Sequence, residues 1–278
     1  MIGIFDSGFG GLTILKKIIE ENPGYEYIYL GDNARAPYGS KSEELIYQYT
    51  REATSFLMEK GCELIIIACN TASAKALRQI QQKWLPQNHP NKKVLGVIIP
   101  VAEAAIEAKK EQKEKDKKRK NKIGLIGTQA TINSQTYERE LKKLDSNIEI
   151  FSKKCPLLVP LIEEGWIERR ETKMILRYYL RGLKRERVNF LILGCTHYPI
   201  LFEKIKGIMG EHCQIINPPE VIALKLKQYL ENHPEIEKKI KKNKKRTFYT
   251  TDDPKRFKSF APRFWEQNIK KVKKISLH

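Results

Sequence analysis

Short, continuous apolar runs alternate along this chain with longer stretches of helical periodicity. Runs at 2–5, 27–30, 64–68, 94–99, 123–126 and 190–193 are rich in Ile, Leu and Val and too short for helices. They read as strands buried on both faces. Between them, 12–21, 42–60, 73–84, 134–144, 172–183 and 200–209 repeat apolar residues at helical spacing. The alternation predicts an α/β architecture with mainly parallel sheets. After Cys213 the pattern predicts a helix at 222–230 and a strand at 247–249, a segment too small to fold alone and expected to pack back on an earlier part.

An internal echo refines this picture. Ile2-Gly-Ile-Phe-Asp-Ser-Gly recurs loosely as Ile123-Gly-Leu-Ile-Gly-Thr-Gln, and Leu64-Ile-Ile-Ile-Ala-Cys-Asn-Thr as Phe190-Leu-Ile-Leu-Gly-Cys-Thr-His. Two strand-plus-loop units repeat in the same order at nearly the same separation, which implies two similar halves. With 278 residues and 41% hydrophobic composition, the chain has material for two cores.

The formal net charge is +19, and most of it sits in three runs. Residues 109–122 carry nine basic and three acidic side chains, and 235–246 and 263–278 hold most of the rest. Lys-rich runs without interleaved aromatics read as solvated loops or helix faces, so nucleic acid is not the expected partner despite the charge. Five cysteines at wide spacings, with no C-x-x-C pair, argue against a disulfide framework or a zinc ribbon. No apolar run approaches the length of a membrane span, and a cytoplasmic, reducing environment is expected.

Ligands of open α/β sheets bind where strands end in loops that lead to helices. Three such loops stand out. Asp6-Ser7-Gly8-Phe9-Gly10-Gly11 follows the first strand; its glycines permit close backbone approach and its helix start offers free N–H groups to an anion, although a plain tight turn would look the same. It fits neither the phosphate-loop nor the dinucleotide fingerprint. Cys69-Asn70-Thr71 and Cys195-Thr196-His197 each place a cysteine at the end of a buried strand before a helix entrance. A helix N-terminus lowers a thiol pKa, which makes each thiol a competent base near neutral pH. A single such cysteine is more often a small core residue, and Cys62, Cys155 and Cys213 are read that way. Two at matching positions of two halves suit stereochemical inversion, which needs one base on each face of a carbon. A Cys–His hydrolase would leave the second cysteine without a role. No ligand spacing supports a metal site.

Together these blocks resemble the glutamate racemases of the aspartate/glutamate racemase superfamily. The resemblance rests on Asp6-Ser-Gly-Phe-Gly-Gly-Leu-Thr, Gly31-Asp-Asn-Ala-Arg-Ala-Pro-Tyr-Gly-Ser, Ala68-Cys-Asn-Thr-Ala-Ser-Ala, Ile126-Gly-Thr, Cys155-Pro, Glu163-Glu-Gly and Gly194-Cys-Thr-His-Tyr-Pro, and runs to about residue 200. It implies a cofactor-independent enzyme that interconverts L- and D-glutamate, the latter for bacterial peptidoglycan. It further implies two α/β domains related by a pseudo-twofold, 1–97 plus 212–278 and 98–211, with the active site in the cleft between them, in a cytoplasmic homodimer. By the same resemblance Cys69 and Cys195 are the proton-transferring pair, Asp6, His197 and Glu163 assist them, and Asp6, Ser7, Tyr38, Gly39, Asn70, Thr71, Thr196 and His197 hold the substrate. Pro100-Val101, Asn217-Pro-Pro and the Lys-rich run depart from the family pattern without touching the cysteine loops. An aspartate-specific relative is the nearest rival reading.

Overall fold

The computed structural model describes residues 1–115, 122–265 and 269–277, so the Lys-rich positions 116–121 lie outside the described residues. The described strands form two sheets. The first has six strands in the order β10-β9-β2-β1-β3-β4: β1 (Ile2–Asp6), β2 (Tyr27–Gly31), β3 (Leu64–Ile67), β4 (Lys93–Gly96), β9 (Arg246–Thr250) and β10 (Val272–Lys274). The second has four in the order β6-β5-β7-β8: β5 (Lys122–Gly127), β6 (Glu149–Lys154), β7 (Phe190–Gly194) and β8 (Gln214–Ile216). All neighbouring strands run parallel. The order β2-β1-β3-β4 is thus repeated as β6-β5-β7-β8, the structural counterpart of the sequence echo. The α/β class with two similar parallel sheets is borne out.

The strands sit where the apolar runs fall because both faces are covered. Every residue of β1, β2, β3 and β7 is buried. The helix Gly11–Glu21 packs on Pro218–Asn232, and Ile98–Lys115 packs on both Thr136–Leu144 and Pro218–Asn232. The helices following β4 and β8 therefore lie against one another between the halves. The C-terminal segment returns to the first sheet, where β9 pairs with β2 and β10 with β9. No helix among the described residues is long and apolar enough to cross a membrane.

Several expectations need correction. The run at 94–99 is a strand only to Gly96; Ile98 opens a helix through Lys115. Pro100 falls in its first turn, where a missing N–H costs nothing. The helix expected at 73–84 is a series of short turns, Asn70–Lys75, Leu77–Gln79, a π-turn at Ile80–Trp84 and Leu85–Asn88. Gln135, with φ of 53°, separates Gln129–Asn133 from Thr136–Leu144. β8 joins the second sheet, which therefore extends past the expected division at 211/212. Lys109, expected on a solvated face, is buried and ion-paired with Asp145.

Candidate active site

In both sheets the first and third strands of the repeated unit lie side by side, β1 with β3 and β5 with β7. Crossovers leave such a pair in opposite directions, which opens a crevice at the carboxyl ends of the strands. Loops from these ends in both sheets line one small cavity of about 30 Å³, including Ser7, Cys69, Asn70, Thr71, Thr128, Cys195, Thr196 and His197, with Tyr38, Gly39 and Glu163 at its walls. Ser7, both cysteines and the residues that follow each of them are thereby brought together from separate sheets, whereas Asp6 does not line the cavity and lies buried behind it.

Asp6 ends β1 and is fully buried. Its Oδ2 accepts the Gly8 N–H at 3.0 Å and its Oδ1 accepts the Thr196 hydroxyl at 3.2 Å. Burial pushes the carboxyl above its ordinary value, while His197 and these hydrogen bonds pull the other way. The loop is tight for a reason. A methyl group on Gly10 would overlap Thr196 Oγ1 and sit 2.5 Å from His197 Nδ1, so only glycine lets the two halves approach here.

Cys69 lies between β3 and the short helix Asn70–Lys75, and Ser7 Oγ is 3.3 Å from its sulfur. The expected lowering of its pKa does not hold. Burial, reinforced by the neighbouring Asp6 carboxylate, pushes the thiol up to about 12, and the hydrogen bonds from Ser7 and the Ala72 N–H offset only part of that. A few N–H groups at a helix start do not replace lost water.

Cys195 follows β7 and is buried, with its sulfur 3.9 Å from His197 Nδ1. The other imidazole nitrogen, Nε2, is 2.9 Å from Glu163 Oε1, at the end of the helix Leu158–Glu163. Burial alone would lower the histidine; Cys195 and Glu163 outweigh it and raise His197 to about 10. The ring is held between a sulfur on one side and a carboxyl group on the other, and both neighbours favour its protonated form. The ring of Phe264 meets it edge-on at 5.3 Å.

Asn70 accepts the Tyr137 hydroxyl at 2.7 Å, and its buried Nδ2 has no protein partner. An amide donor left unpaired on a cavity wall is a ready partner for a ligand acceptor. Thr71 reaches across to the second sheet, its hydroxyl 2.9 Å from that of Thr128 and 3.3 Å from that of Thr131. Tyr38 is buried at the wall, but its hydroxyl is committed to Asp32, which also takes the Arg35 Nε at 2.7 Å; Arg35 in turn pairs with Glu52. Sequence reasoning missed Thr128, Thr131, Asp32, Arg35 and Glu52. For Thr128 a signal existed in the Ile126-Gly-Thr block, and for Asp32 and Arg35 in the block that opens at Gly31. Cys62, Cys155 and Cys213 are buried away from the cavity, and no cluster of His, Cys, Asp and Glu among the described residues is arranged to hold a metal.

The pattern of the Asp/Glu/Hydantoin racemase family matches residues 2–226 of the sequence. The chain belongs to this family. Glutamate racemase of Aquifex aeolicus is 44% identical to it over 232 residues, 83% of this chain and 84% of that protein. A crystal structure of a glutamate racemase isoform from Bacillus anthracis superposes with a TM-score of 0.88 at 35% identity, covering 100% of this chain and 97% of the other. That of the Francisella tularensis glutamate racemase in complex with D-glutamate gives 0.85 at 34% identity, covering 99% and 97%. The resemblance expected from the motifs is borne out. The chain is an amino-acid racemase, an isomerase.

Proposed function

We propose that this racemase interconverts L- and D-glutamate by two-base proton transfer between Cys69 and Cys195, with no cofactor. The observation that carries the reading is the placement of two cysteines at equivalent strand ends of the repeated four-strand unit, both lining one cavity. One sulfur, as thiolate, takes the α-proton; the electron pair passes into the α-carboxylate; the opposite thiol delivers its proton to the other face. The net change is inversion alone, and the two cysteines exchange protonation states. Relatives named glutamate racemase, one of them solved with D-glutamate, support glutamate as the substrate.

The surroundings fit the roles. Ser7 faces Cys69 in the cavity, and Asp6 lies behind the wall, bonded to the Gly8 N–H and the Thr196 hydroxyl, where it orients the groups that face the substrate. The unpaired Asn70 amide, Thr71 and Thr196 supply neutral donors for carboxylates, with the loops of Tyr38 and Gly39 closing the wall. His197, held on its far side by Glu163, lies beside the Cys195 sulfur, where an imidazole can relay its proton. A site between two sheets that excludes water around the bound substrate protects a carbanion from stray protonation and strengthens every dipole around it. In this reading the protein is cytoplasmic, supplies D-glutamate for peptidoglycan, and works as a homodimer.

Circular dichroism of L-glutamate with purified protein and no added cofactor tests the proposal, repeated from D-glutamate. Decay of both signals to zero is the expected result. Turnover of L-aspartate with glutamate untouched would transfer the substrate assignment to the rival acid.

A further inference from the structure

Among the described residues, the first sheet carries two strands, β9 and β10, that have no counterpart in the second. The crossover between them contains the helix Pro254–Phe260 and the turn Ala261–Arg263. It is anchored by aromatic contacts. Phe9 of the Asp6 loop packs against Phe257 at 5.4 Å, Phe260 at 5.2 Å and Phe264 at 6.2 Å, and Trp265 meets Phe248 of β9 at 5.8 Å. From this anchored position the crossover reaches the loop that carries Glu163. Arg263 Nη1 donates to the Glu163 carbonyl oxygen at 2.7 Å, and its guanidinium lies 4.4 Å over the Phe260 ring. Gly165, with φ of 75°, bends the chain just past the helix; a side-chain carbon there would sit 3.3 Å from Arg263 Nη2.

We propose that Arg263 is a positioning residue for the Cys195 side of the site, fixing the end of the Leu158–Glu163 helix so that the Glu163 carboxylate stays on His197. The inference rests on the racemase reading above and deepens it. Its physics is that of a helix terminus. The last carbonyls of a helix have no intrahelical donor and carry the negative end of its dipole, so a cation that donates there holds the final turn. Glu163 is both the residue held through its carbonyl and the one whose carboxylate contacts His197. Phe264, next to Arg263, braces the imidazole edge-on. The titratable groups facing His197 are Cys195 and Glu163 in contact and Asp6 beyond, which His197 itself stabilises as a carboxylate. Arg263 bonds the Glu163 carbonyl and not its carboxylate, so its effect on His197 passes through the position of Glu163.

The test compares Arg263→Ala and Arg263→Lys in the full chain, reading the titration of the His197 ring by NMR and kcat and KM in both directions. In Arg263→Ala the His197 midpoint is expected to fall by about one pH unit or more as the carboxylate withdraws. The same variant should lose about tenfold in kcat, part of the roughly 100-fold or more that a positioned acid–base group contributes, with KM nearly unchanged. Arg263→Lys, still able to donate to the carbonyl, should recover much of both. In a Glu163→Gln background Arg263→Ala should no longer move the His197 midpoint. An unaltered midpoint in Arg263→Ala, or an equal shift with and without the Glu163 carboxylate, would overturn the proposal. The NMR reading does not depend on turnover. A wild-type protein that racemises neither glutamate nor aspartate defeats the racemase reading, while the His197 titration still decides the role of Arg263.

Discussion

Asp6→Asn offers a direct test of how the Cys69 environment is built. In the wild-type protein a rise in the thiol pKa from 9.0 to about 12 corresponds to about 4 kcal/mol against the thiolate. Burial contributes the largest part and the Asp6 carboxylate the next. At pH 8 a thiol of pKa 12 is ionised to about 0.01%, against roughly 25% for a free cysteine of pKa about 8.5. The greater basicity of its thiolate recovers part of that loss, leaving alkylation slower by on the order of 50-fold. Iodoacetamide labelling from pH 7 to 10, resolved cysteine by cysteine with peptide mass spectrometry, measures this directly. Limited access slows a rate at every pH, so the shape of the profile is the diagnostic. The wild-type rate at Cys69 should keep climbing tenfold per pH unit through pH 10. If Asp6 supplies as little as a third of the rise, Asp6→Asn lowers the pKa by about one unit and raises the thiolate population about tenfold below pH 10. A wild-type profile that levels off near pH 8.5, or an Asp6→Asn profile no faster than wild type, would refute the reasoning.

Three further outcomes are expected. Cys69→Ser and Cys195→Ser should each abolish interconversion while leaving exchange of the α-proton with deuterated solvent for one enantiomer only; full turnover in either variant removes the two-cysteine assignment. Gly10→Ala, which forces a methyl against Thr196 and His197, should cost about 1–3 kcal/mol in urea unfolding and most of the activity, and a neutral effect would show that the loop yields freely. Because His197 is raised from 6.5 to about 10 in the folded state, its contribution to stability is complete below pH 6.5 and disappears as pH rises through 10. Wild-type unfolding free energy should therefore decline across that window with a slope of up to about 1.4 kcal/mol per pH unit, and Glu163→Gln should flatten the decline.

The central strands and both cysteine loops were legible because each is fixed by a strong local pattern. Buried parallel strands need continuous apolar runs, and Cys69 and Cys195 end two of them. β6, β8 and β10 escaped notice for the opposite reason. They are edge strands without a continuous buried apolar run, as in Glu149–Lys154, where no position is fully buried, and their pairing is decided by neighbours far away in sequence. Ile98 and Ile99 read as strand because an apolar run alone does not distinguish a buried strand from the first turn of a buried helix. The Cys69 pKa was misjudged because the loop sequence shows a helix start but not the closure of the cavity around it. Arg35, Glu52 and Thr131 act by completing charge and hydroxyl networks, and such partners are visible only once the chain is folded.

The pairing of β2 with β9 has a consequence for the order in which the molecule can be made. Every strand of the second sheet has emerged once residue 216 leaves the ribosome. The first sheet, although its inner strands come earliest, keeps a bare edge along Tyr27–Gly31 until Arg246–Thr250 arrives. Nascent chains thus pass through a stage in which one half is finished while the other exposes an unpaired apolar strand, the feature most prone to wrong pairing between molecules. Both cysteine loops exist at that stage, yet the aromatic crossover that braces His197 does not. Synthesis of residues 246–265 both covers the open edge and completes the catalytic surroundings. A prematurely terminated chain would therefore be inactive and adhesive at once.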